Sequence, residues 1–117
     1  MIKNFGVGID LCNIERFKQK TFLTNKSFYK KIFTEKEISY FLKYKNYYER
    51  FAGKFALKEA LIKSISQKIH PCKIETSHIK SKPMIKLIGI KEKYQFCVSL
   101  SHENNFAIAI VISEKIT

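Results

Sequence analysis

Apolar and polar positions alternate most clearly near the amino terminus. In residues 5–11, four apolar side chains alternate with two glycines and one aspartate: Phe5, Val7, Ile9 and Leu11 against Gly6, Gly8 and Asp10. A period of two is that of a β-strand, whose successive side chains point to opposite faces. Glycines inside a strand often mark the close approach of a backbone or a ligand, so the face with Asp10 is predicted to be nearly bare.

A helix start follows in the second quarter of the chain. Thr34 and Glu37 match a capping box, in which each side chain accepts a hydrogen bond from the other residue's backbone N–H. Phe33 and Ile38 stand at the positions of a hydrophobic staple. These signals predict a helix over residues 34–44.

Two further helices are predicted, one before and one after this one. Asn13 is a suitable N-cap for a short helix that begins at Ile14. Residues 18–31 then interleave lysines with aromatic and aliphatic side chains. A long helix is predicted over residues 47–68, and Pro71 marks the end of that region.

The remainder of the chain is predicted to form strands. Residues 72–79 and 84–88 are joined by a turn at 81–83. Residues 96–101 and 106–112 form a hairpin with a four-residue loop. The last strand is apolar on both faces, so it is expected to be covered on both sides, by the core and by another subunit.

Length and composition favour one compact domain. The chain has 117 residues, of which 45% are hydrophobic, and it shows no repeat or low-complexity linker. We therefore predict a single α+β domain over residues 1–117, with an antiparallel sheet packed on the long helix. No apolar run approaches the roughly 20 residues that cross a membrane, and the amino terminus lacks the apolar core of a signal peptide. No membrane partner is expected.

The cysteines and the charge indicate the environment and the partner. Cys12, Cys72 and Cys97 are far apart and odd in number, which fits neither a zinc site nor a disulfide framework and favours a reducing cytoplasm. The net charge of +12 predicts an anionic partner, unless the lysines merely solvate the surface. Nearly all of that charge is lysine, which reads bases poorly, although a basic surface with interleaved aromatic rings also suits RNA or single-stranded nucleic acid.

Glu59 stands out in the predicted long helix. At 100° per residue it lies near the middle of the apolar half, while Arg50, Lys54, Lys58 and Lys68 fall on the opposite half. An unpaired buried carboxylate is costly, so Glu59 should have a cation, a metal or a ligand as its partner. The simplest alternative is an ordinary ion pair with Lys63, four residues further along.

Asp10 and Glu59 together suggest a metal site. Magnesium takes one or two protein carboxylates and completes its shell with water and substrate phosphate oxygens. Lys63, one turn after Glu59, is placed to meet a phosphate. His102 is a further candidate at the edge of the last hairpin, where a surface turn histidine is the plainer interpretation.

Five segments, taken in order and spacing, resemble one family. They are residues 5–11 (FGVGIDL), 14–17 (IERF), 33–37 (FTEKE), 51–60 (FAGKFALKEA) and 98–102 (VSLSH). The chain is similar to the holo-[acyl-carrier-protein] synthases, the short 4′-phosphopantetheinyl transferases. This resemblance implies their α+β fold and the Mg²⁺-dependent transfer of 4′-phosphopantetheine from coenzyme A to a serine of an acidic apo-acyl carrier protein, for fatty acid biosynthesis. No nucleic-acid partner is then expected.

The resemblance also implies roles for individual residues. Asp10 and Glu59 match magnesium ligands, and Glu59 and Lys63 are the implied catalytic residues, with either Glu59 or a metal-bound water as the base. The residues implied to contact coenzyme A are Lys54, Lys63, Lys82, Pro83 and His102. The residues implied to contact the carrier protein are Arg16, Lys20 and Lys26.

The family assembles as homotrimers with active sites shared between subunits. This chain departs from the family in having Lys54 where arginine is usual, Ser81 in place of a glycine, and no glycine-rich loop between residues 66 and 72. Two other interpretations stay open at this point: a nucleic-acid-binding module without catalysis, and an inactive structural homologue.

Overall fold

The computed structural model describes residues 2–116, so residues 1 and 117 of the predicted domain lie outside the described part. The elements follow in this order: β1 (Phe5–Asn13), α1 (Ile14–Gln19), α2 (Lys26–Ile32), α3 (Glu35–Phe41), α4 (Tyr47–Ser64), a 3₁₀ turn (Pro71–Lys73), β2 (Ile74–Ile79), β3 (Lys82–Leu87), β4 (Lys93–Glu103) and β5 (Phe106–Ile116). An antiparallel sheet in the order β1–β5–β4 packs on α4, and β2 pairs with β3 in a separate hairpin. The predicted α+β class is confirmed.

The two glycines of β1 let that strand lie directly against the backbone of α4. A Cβ atom added at Gly8 would stand 1.8 Å from the carbonyl oxygen of Ala60, and one added at Gly6 would stand 1.7 Å from that of Ser64. The predicted close approach is therefore made by a helix backbone. The apolar positions of β1 point the other way, and Val7 is 63% exposed.

Strand β5 shows the same division between its two faces. Its small side chains are buried toward α4: Ala107, Ala109, Val111 and Ser113. Its large apolar side chains are 38–48% exposed on the opposite face: Phe106, Ile108, Ile110 and Ile112. The prediction that the core covers one side is correct. We call the sheet face turned away from α4 the outer face; β1 adds Phe5, Val7, Ile9 and Leu11 to it, in register with these residues or next to them.

A cluster of aromatic rings packs the helices together. The Phe51 ring of α4 lies 4.6 Å from the Tyr29 ring and 4.9 Å from the Phe33 ring, measured between centroids. Tyr29 belongs to α2, a helix that was not predicted from the lysine-rich segment 18–31. Asn25 makes no side-chain capping hydrogen bond there, so this helix depends on burying Tyr29 and Ile32 rather than on a local start signal.

Two lysines of the predicted basic half of the long helix are buried, so the prediction of one apolar and one basic half is wrong for them. Lys54 is 6% exposed and Lys58 is 0% exposed, because α4 is covered by the sheet on one side and by helices and the β2–β3 hairpin on the other. The Lys58 ammonium donates to the Glu37 carboxylate at 2.6 Å, to the Ile32 carbonyl at 2.8 Å and to the Pro71 carbonyl at 3.1 Å. A buried lysine is tolerated here because all three N–H groups are used.

Glu37 completes this buried network. One of its oxygens accepts the Thr34 backbone N–H at 2.9 Å, which confirms the predicted capping box. The other accepts the backbone N–H of Thr76 at 2.9 Å and its hydroxyl at 2.6 Å. The carboxylate thus caps α3 and also fixes the start of β2.

The helix ends differ from the predicted bounds. Helix α3 stops at Phe41 and α4 stops at Ser64, a few residues before the predicted ends. The Ser64 hydroxyl donates to the Leu61 carbonyl at 2.7 Å, and the Ser64 carbonyl accepts the Ser113 hydroxyl at 2.8 Å. The last carbonyl of α4 is therefore hydrogen-bonded to a residue of β5 instead of to a further turn of helix. Within residues 2–116, none of the helices is long and apolar enough to cross a bilayer.

Both hairpins turn more tightly than predicted. Lys80 and Ser81 have φ values of 51° and 67°, so the first turn lies one residue early and Lys82 already begins β3. Strands β4 and β5 extend to Glu103 and from Phe106, which leaves a two-residue loop instead of four. His102 therefore belongs to the strand itself.

The glycine contact makes a stability prediction. Gly8→Ala should lower the free energy of unfolding by about 3 kcal/mol, because the new methyl group overlaps a backbone carbonyl that cannot turn aside. Gly53→Ala is the matched control: it lies on α4 with nothing within 4 Å of an added Cβ, and it should gain about 0.5–1 kcal/mol. Urea unfolding at one fixed protein concentration measures both. Equal stability of Gly8→Ala and the parent chain would contradict the contact.

Candidate active site

The close approach of β1 and α4 determines where Asp10 lies. Asp10 shares the strand face of Gly6 and Gly8, so its side chain lies toward α4, two residues past the point where the backbones touch. Its side chain is 17% exposed. No bulky neighbour on that face of the strand separates it from the helix.

Glu59 lies on the sheet side of α4, half-buried beside Asp10. Burial raises the pKa of the Glu59 carboxyl above its usual value, and the charge of Asp10 raises it further, while Lys63 and Arg16 lower it. The effect of Asp10 places two carboxylates in one electrostatic environment. Two negative groups held together in a partly desolvated place favour a cation between them.

Lys63 completes this group, but through Asp10 rather than Glu59. Its ammonium lies 3.3 Å from the Asp10 carboxylate and 3.0 Å from the Ile9 carbonyl, and its side chain is 56% exposed. Over residues 2–116, the ion pairs within 4.0 Å are this one and Lys58–Glu37. The alternative of a plain Glu59–Lys63 pair is therefore wrong.

The donor set of Asp10 and Glu59 is compatible with magnesium. Magnesium is commonly held by one or two carboxylates, with water and phosphate oxygens filling the other positions. In the described part of the chain, no cluster of three or more His, Cys, Asp or Glu side chains offers a complete protein cage. An open two-carboxylate site is what a phosphate-bearing substrate requires.

A cavity of about 460 Å³ holds the second group of predicted residues. Lys54 and His102 line it, together with Arg50 and His78. Lys82 and Pro83 stand exposed at the start of β3, and Pro83 lies opposite His78 in the strand register. Of the residues predicted to contact coenzyme A, Lys54 and His102 line this cavity, whereas Lys82, Pro83 and Lys63 do not.

The structure separates these two groups within one chain. Asp10, Glu59 and Lys63 do not line the cavity that Lys54 and His102 share. In the sheet, His102 lies opposite Ala107, which in turn lies opposite Cys12, so one strand stands between His102 and β1. The predicted site residues thus fall into two separate groups on a single chain.

The predicted carrier-protein residues lie on and after α1. The Arg16 guanidinium lies 5.2 Å from the Phe55 ring centroid, and the Lys20 ammonium lies 4.1 Å from that of Phe28. Both line a notch of about 100 Å³. Lys26 is exposed at the start of α2, outside that notch.

The sequence analysis gives no role to His78, which the structure shows exposed beside Lys54, and it misses the burial of Lys58. His78 carries no pattern that distinguishes it from any exposed strand histidine, and only the packing of β2 against α4 brings it to Lys54. For Lys58 a signal did exist, because the capping-box residue Glu37 is a carboxylate on an otherwise apolar helix face.

Comparison with known proteins shows which family this chain resembles. Residues 6–111 match the model of the 4′-phosphopantetheinyl transferase superfamily. A holo-[acyl-carrier-protein] synthase of Thermodesulfovibrio yellowstonii is 36% identical over 92% of this chain and 96% of its own. One from Borreliella burgdorferi is 38% identical over 93% of this chain and 98% of its own.

Solved structures show the same fold. The Helicobacter pylori holo-[acyl-carrier-protein] synthase in complex with coenzyme A superposes with a TM-score of 0.75 at 29% identity, covering 92% of this chain and 99% of that one. The Bacillus anthracis enzyme, in complex with CoA (3′,5′-ADP), gives a TM-score of 0.75 at 28% identity, covering 93% and 95%. A nucleic-acid-binding module explains neither these similarities nor the paired carboxylates.

The raised pKa of Glu59 makes a second stability prediction. A carboxyl whose pKa is higher in the folded state costs stability wherever it is ionised, so Glu59→Gln should be more stable than the parent chain at pH 7. The gain is about half a kcal/mol, because the group is partly in water, and it should vanish as the pH falls below the usual glutamate range.

Metal-free urea unfolding at pH 7 and pH 3 measures this difference. Glu49→Gln is the control, because Glu49 lies in the first turn of α4, where a negative charge is favourable, so that change should lower stability slightly. A Glu59→Gln variant less stable than the parent chain at pH 7 would contradict the assignment of Glu59 to a repulsive pair.

Proposed function

The chain belongs to the 4′-phosphopantetheinyl transferase superfamily as a holo-[acyl-carrier-protein] synthase, and we propose that Asp10, Glu59 and Lys63 form its transfer site. The reaction moves 4′-phosphopantetheine from coenzyme A to a serine of an apo-acyl carrier protein and leaves adenosine 3′,5′-bisphosphate. The observation that carries the proposed site is the convergence of two carboxylates and one lysine where β1 meets α4.

Asp10 and Glu59 would hold Mg²⁺. Burial raises the pKa of Glu59 and the charge of Asp10 raises it further; a divalent cation would remove the repulsion between the two carboxylates. When bound, the ion supplies charge neutralisation at the pyrophosphate oxygens. The exposed side of this pair leaves room for those oxygens and for water.

Lys63 would bind the phosphate that leaves. More than half of its side chain is exposed, so the ammonium can turn from Asp10 to a substrate oxygen without crossing the protein interior. We assign proton acceptance from the serine hydroxyl to Glu59, as a carboxylate within the proposed transfer site. The chain's own residues thus provide a cation for the leaving group and a base for the nucleophile.

Coenzyme A would extend from this site into the cavity of a neighbouring subunit. Lys54, His102, Lys82 and Pro83 would provide its contacts there, on the half-site that the chain separates from Asp10. A site shared between subunits explains how two half-sites on one chain make one working centre.

We propose a homotrimer built on the outer face of the sheet. This face carries Ile9, Ile110 and their neighbours at 38–63% exposure, an apolar surface that a protein in water covers when it can. Strand β4 adds the small side chains Cys97 and Ser99 in register with β5, which allows close approach of a second sheet. Copies of the same chain are the occupants we assign to it.

The basic surface would dock the acyl carrier protein. Arg16 and Lys20 line one notch, Lys26 is exposed at the start of α2, and the net charge of +12 would steer an acidic partner to the protein. We place this transfer reaction in the cytoplasm, since the three cysteines are free thiols. We assign it to fatty acid biosynthesis and lipid metabolism.

Transfer is tested with coenzyme A, Mg²⁺ and an apo-acyl carrier protein. Intact mass should show the carrier protein heavier by one 4′-phosphopantetheine group. Asp10→Ala and Glu59→Ala should each slow this by about 100-fold or more, because each removes half of the metal site. Glu92→Ala, an exposed acid in a turn, is the control and should keep full activity. No transfer to any of several carrier proteins would overturn the function; full activity of both site variants would overturn the site.

The assembly is tested on the outer face. Ile110→Glu should shift the protein from three chains to one in sedimentation and remove activity, because a charge cannot be buried between sheets. Leu23→Glu places the same charge on an equally apolar residue that is 80% exposed elsewhere, and it should leave assembly and activity unchanged. A parent chain that sediments as a single copy at the assay concentration would contradict the trimer.

Mixing two inactive variants tests whether the site is shared. Asp10→Ala and His102→Ala chains that are unfolded, mixed and refolded together should recover part of the activity, since some sites then combine an intact Asp10 with an intact His102. Each variant refolded alone is the control. No recovery in mixed trimers would place both residues in a site within one chain.

A further inference from the structure

Lys54 is a buried cation without an acidic partner. Its side chain is 6% exposed, and it takes part in neither of the ion pairs found among residues 2–116. The contact of its ammonium is the His78 ring nitrogen Nε2, at 3.3 Å. An ammonium group has three N–H donors, so Lys54 keeps hydrogen-bonding capacity beyond the one that a neutral histidine accepts.

The Lys54–His78 pair stands in the wall between two cavities. One is the cavity of about 460 Å³ described above, and the other, of about 230 Å³, lies between α3 and β2. Both residues line both cavities, as do the rings of Tyr40 and Phe41. A ligand group in either cavity therefore meets the lysine and the histidine together.

The electrostatics of this pair favour an arriving anion. Burial lowers the pKa of Lys54 to about 8, with Glu37 opposing the shift and Arg50 adding to it. Burial also lowers the pKa of His78, and the charges of Lys54 and Arg50 lower it further. Burial and cationic neighbours together hold each group less protonated than usual, and the charge of a bound anion opposes this effect in both.

The cationic and imidazole groups around His78 come from four parts of the fold. They are Lys36 on α3, Lys45 before α4, Arg50 and Lys54 on α4, and His102 on β4. These groups concentrate positive charge around His78, and this charge disfavours protonation of His78 until an anion enters one of the cavities.

Three carboxylates and two phenols line the same two cavities. They are Glu37 and Tyr40 on α3, Tyr44 after it, Glu49 on α4 and Glu75 on β2. Glu37 is already committed to Lys58 and Thr76. In the described structure, none of these carboxylates lies within 4.0 Å of Lys54.

We propose that His78 is a further coenzyme A-binding residue of this chain: with Lys54 it forms one phosphate-binding pair that takes up a proton when a phosphate group of coenzyme A enters the cavity. This inference rests on the proposed function, and it adds a residue to which sequence reasoning gave no role. The pair also compensates for having lysine at a position where the family usually has arginine. Two side chains together provide two donors to a phosphate, whereas a single ammonium binds it as a point charge.

The proton balance sets the sign of the pH dependence. In the free chain, neutral His78 accepts from Lys54; in the complex, His78 carries a proton taken from solvent, and both side chains donate to phosphate oxygens. Affinity for coenzyme A should therefore fall as the pH rises through the titration of His78, and fall again near pH 8 as Lys54 loses its proton.

Calorimetric titration of the intact chain with coenzyme A tests this directly. Measured at pH 7 in two buffers of different ionisation enthalpy, the parent chain should take up about half a proton, as one histidine does when binding moves its pKa across that pH. His78→Gln keeps a hydrogen-bond acceptor for Lys54 but cannot titrate, so its uptake should be close to zero. Between pH 6 and pH 8 the parent should lose about three- to tenfold more affinity than this variant.

Two further variants keep the test decisive. His70→Gln removes an exposed histidine away from both cavities and should titrate as the parent does. Lys54→Arg, which stays charged, should lose the fall near pH 8 and keep the histidine-dependent one. If His78→Gln takes up as many protons as His70→Gln while both carry out transfer, the inference is overturned and the transferase stands. If the parent chain neither binds coenzyme A nor transfers, both are overturned.

Discussion

The buried ion pair between Glu37 and Lys58 holds the helical layer in one arrangement. Its two charges stand at the meeting point of five segments, because they bind the start of α3, the end of α2, the 3₁₀ turn, α4 and β2 at once. Such a pair is costly to desolvate, and it is tolerated only when every donor and acceptor finds a partner. All of them are satisfied in this arrangement, so displacing any one of these segments would leave a buried charge without one of its partners.

Glu59, the residue after Lys58 on α4, connects this packing to the proposed transfer site. Lys58 points into the helical layer, while Glu59, one residue and about 100° further round, points toward the sheet. There the glycines of β1 set the second constraint, since direct contact between backbones fixes the height at which Asp10 meets the helix. The Asp10–Glu59 pair is thus positioned by the buried Glu37–Lys58 network on one side of α4 and by the close backbone contact at the glycines of β1 on the other.

Local signals were enough to predict some of this and not the rest. The capping box at Thr34 and Glu37 and the bare face of β1 depend on neighbours in sequence, and the structure confirms both. A helical wheel placed Lys54 and Lys58 in water because it assumes one covered side, whereas α4 is covered on two. Contacts between distant segments determine the partner of Lys63, the formation of helix α2 and the contact of His78 with Lys54. The periodicity of the sequence does not encode such contacts.

The order of strands also has a consequence for how the molecule is made. Strand β1 pairs with β5, so residue 5 finds its partner at residue 114, and the sheet that positions Asp10 closes only after β5 has been synthesised. Contacts of such long sequence separation form slowly. On the ribosome, β1 must wait without its strand partner while the helices and the first hairpin emerge. Asp10 is therefore translated before Glu59 and all of the helices, and it reaches its place only after β5 has followed them.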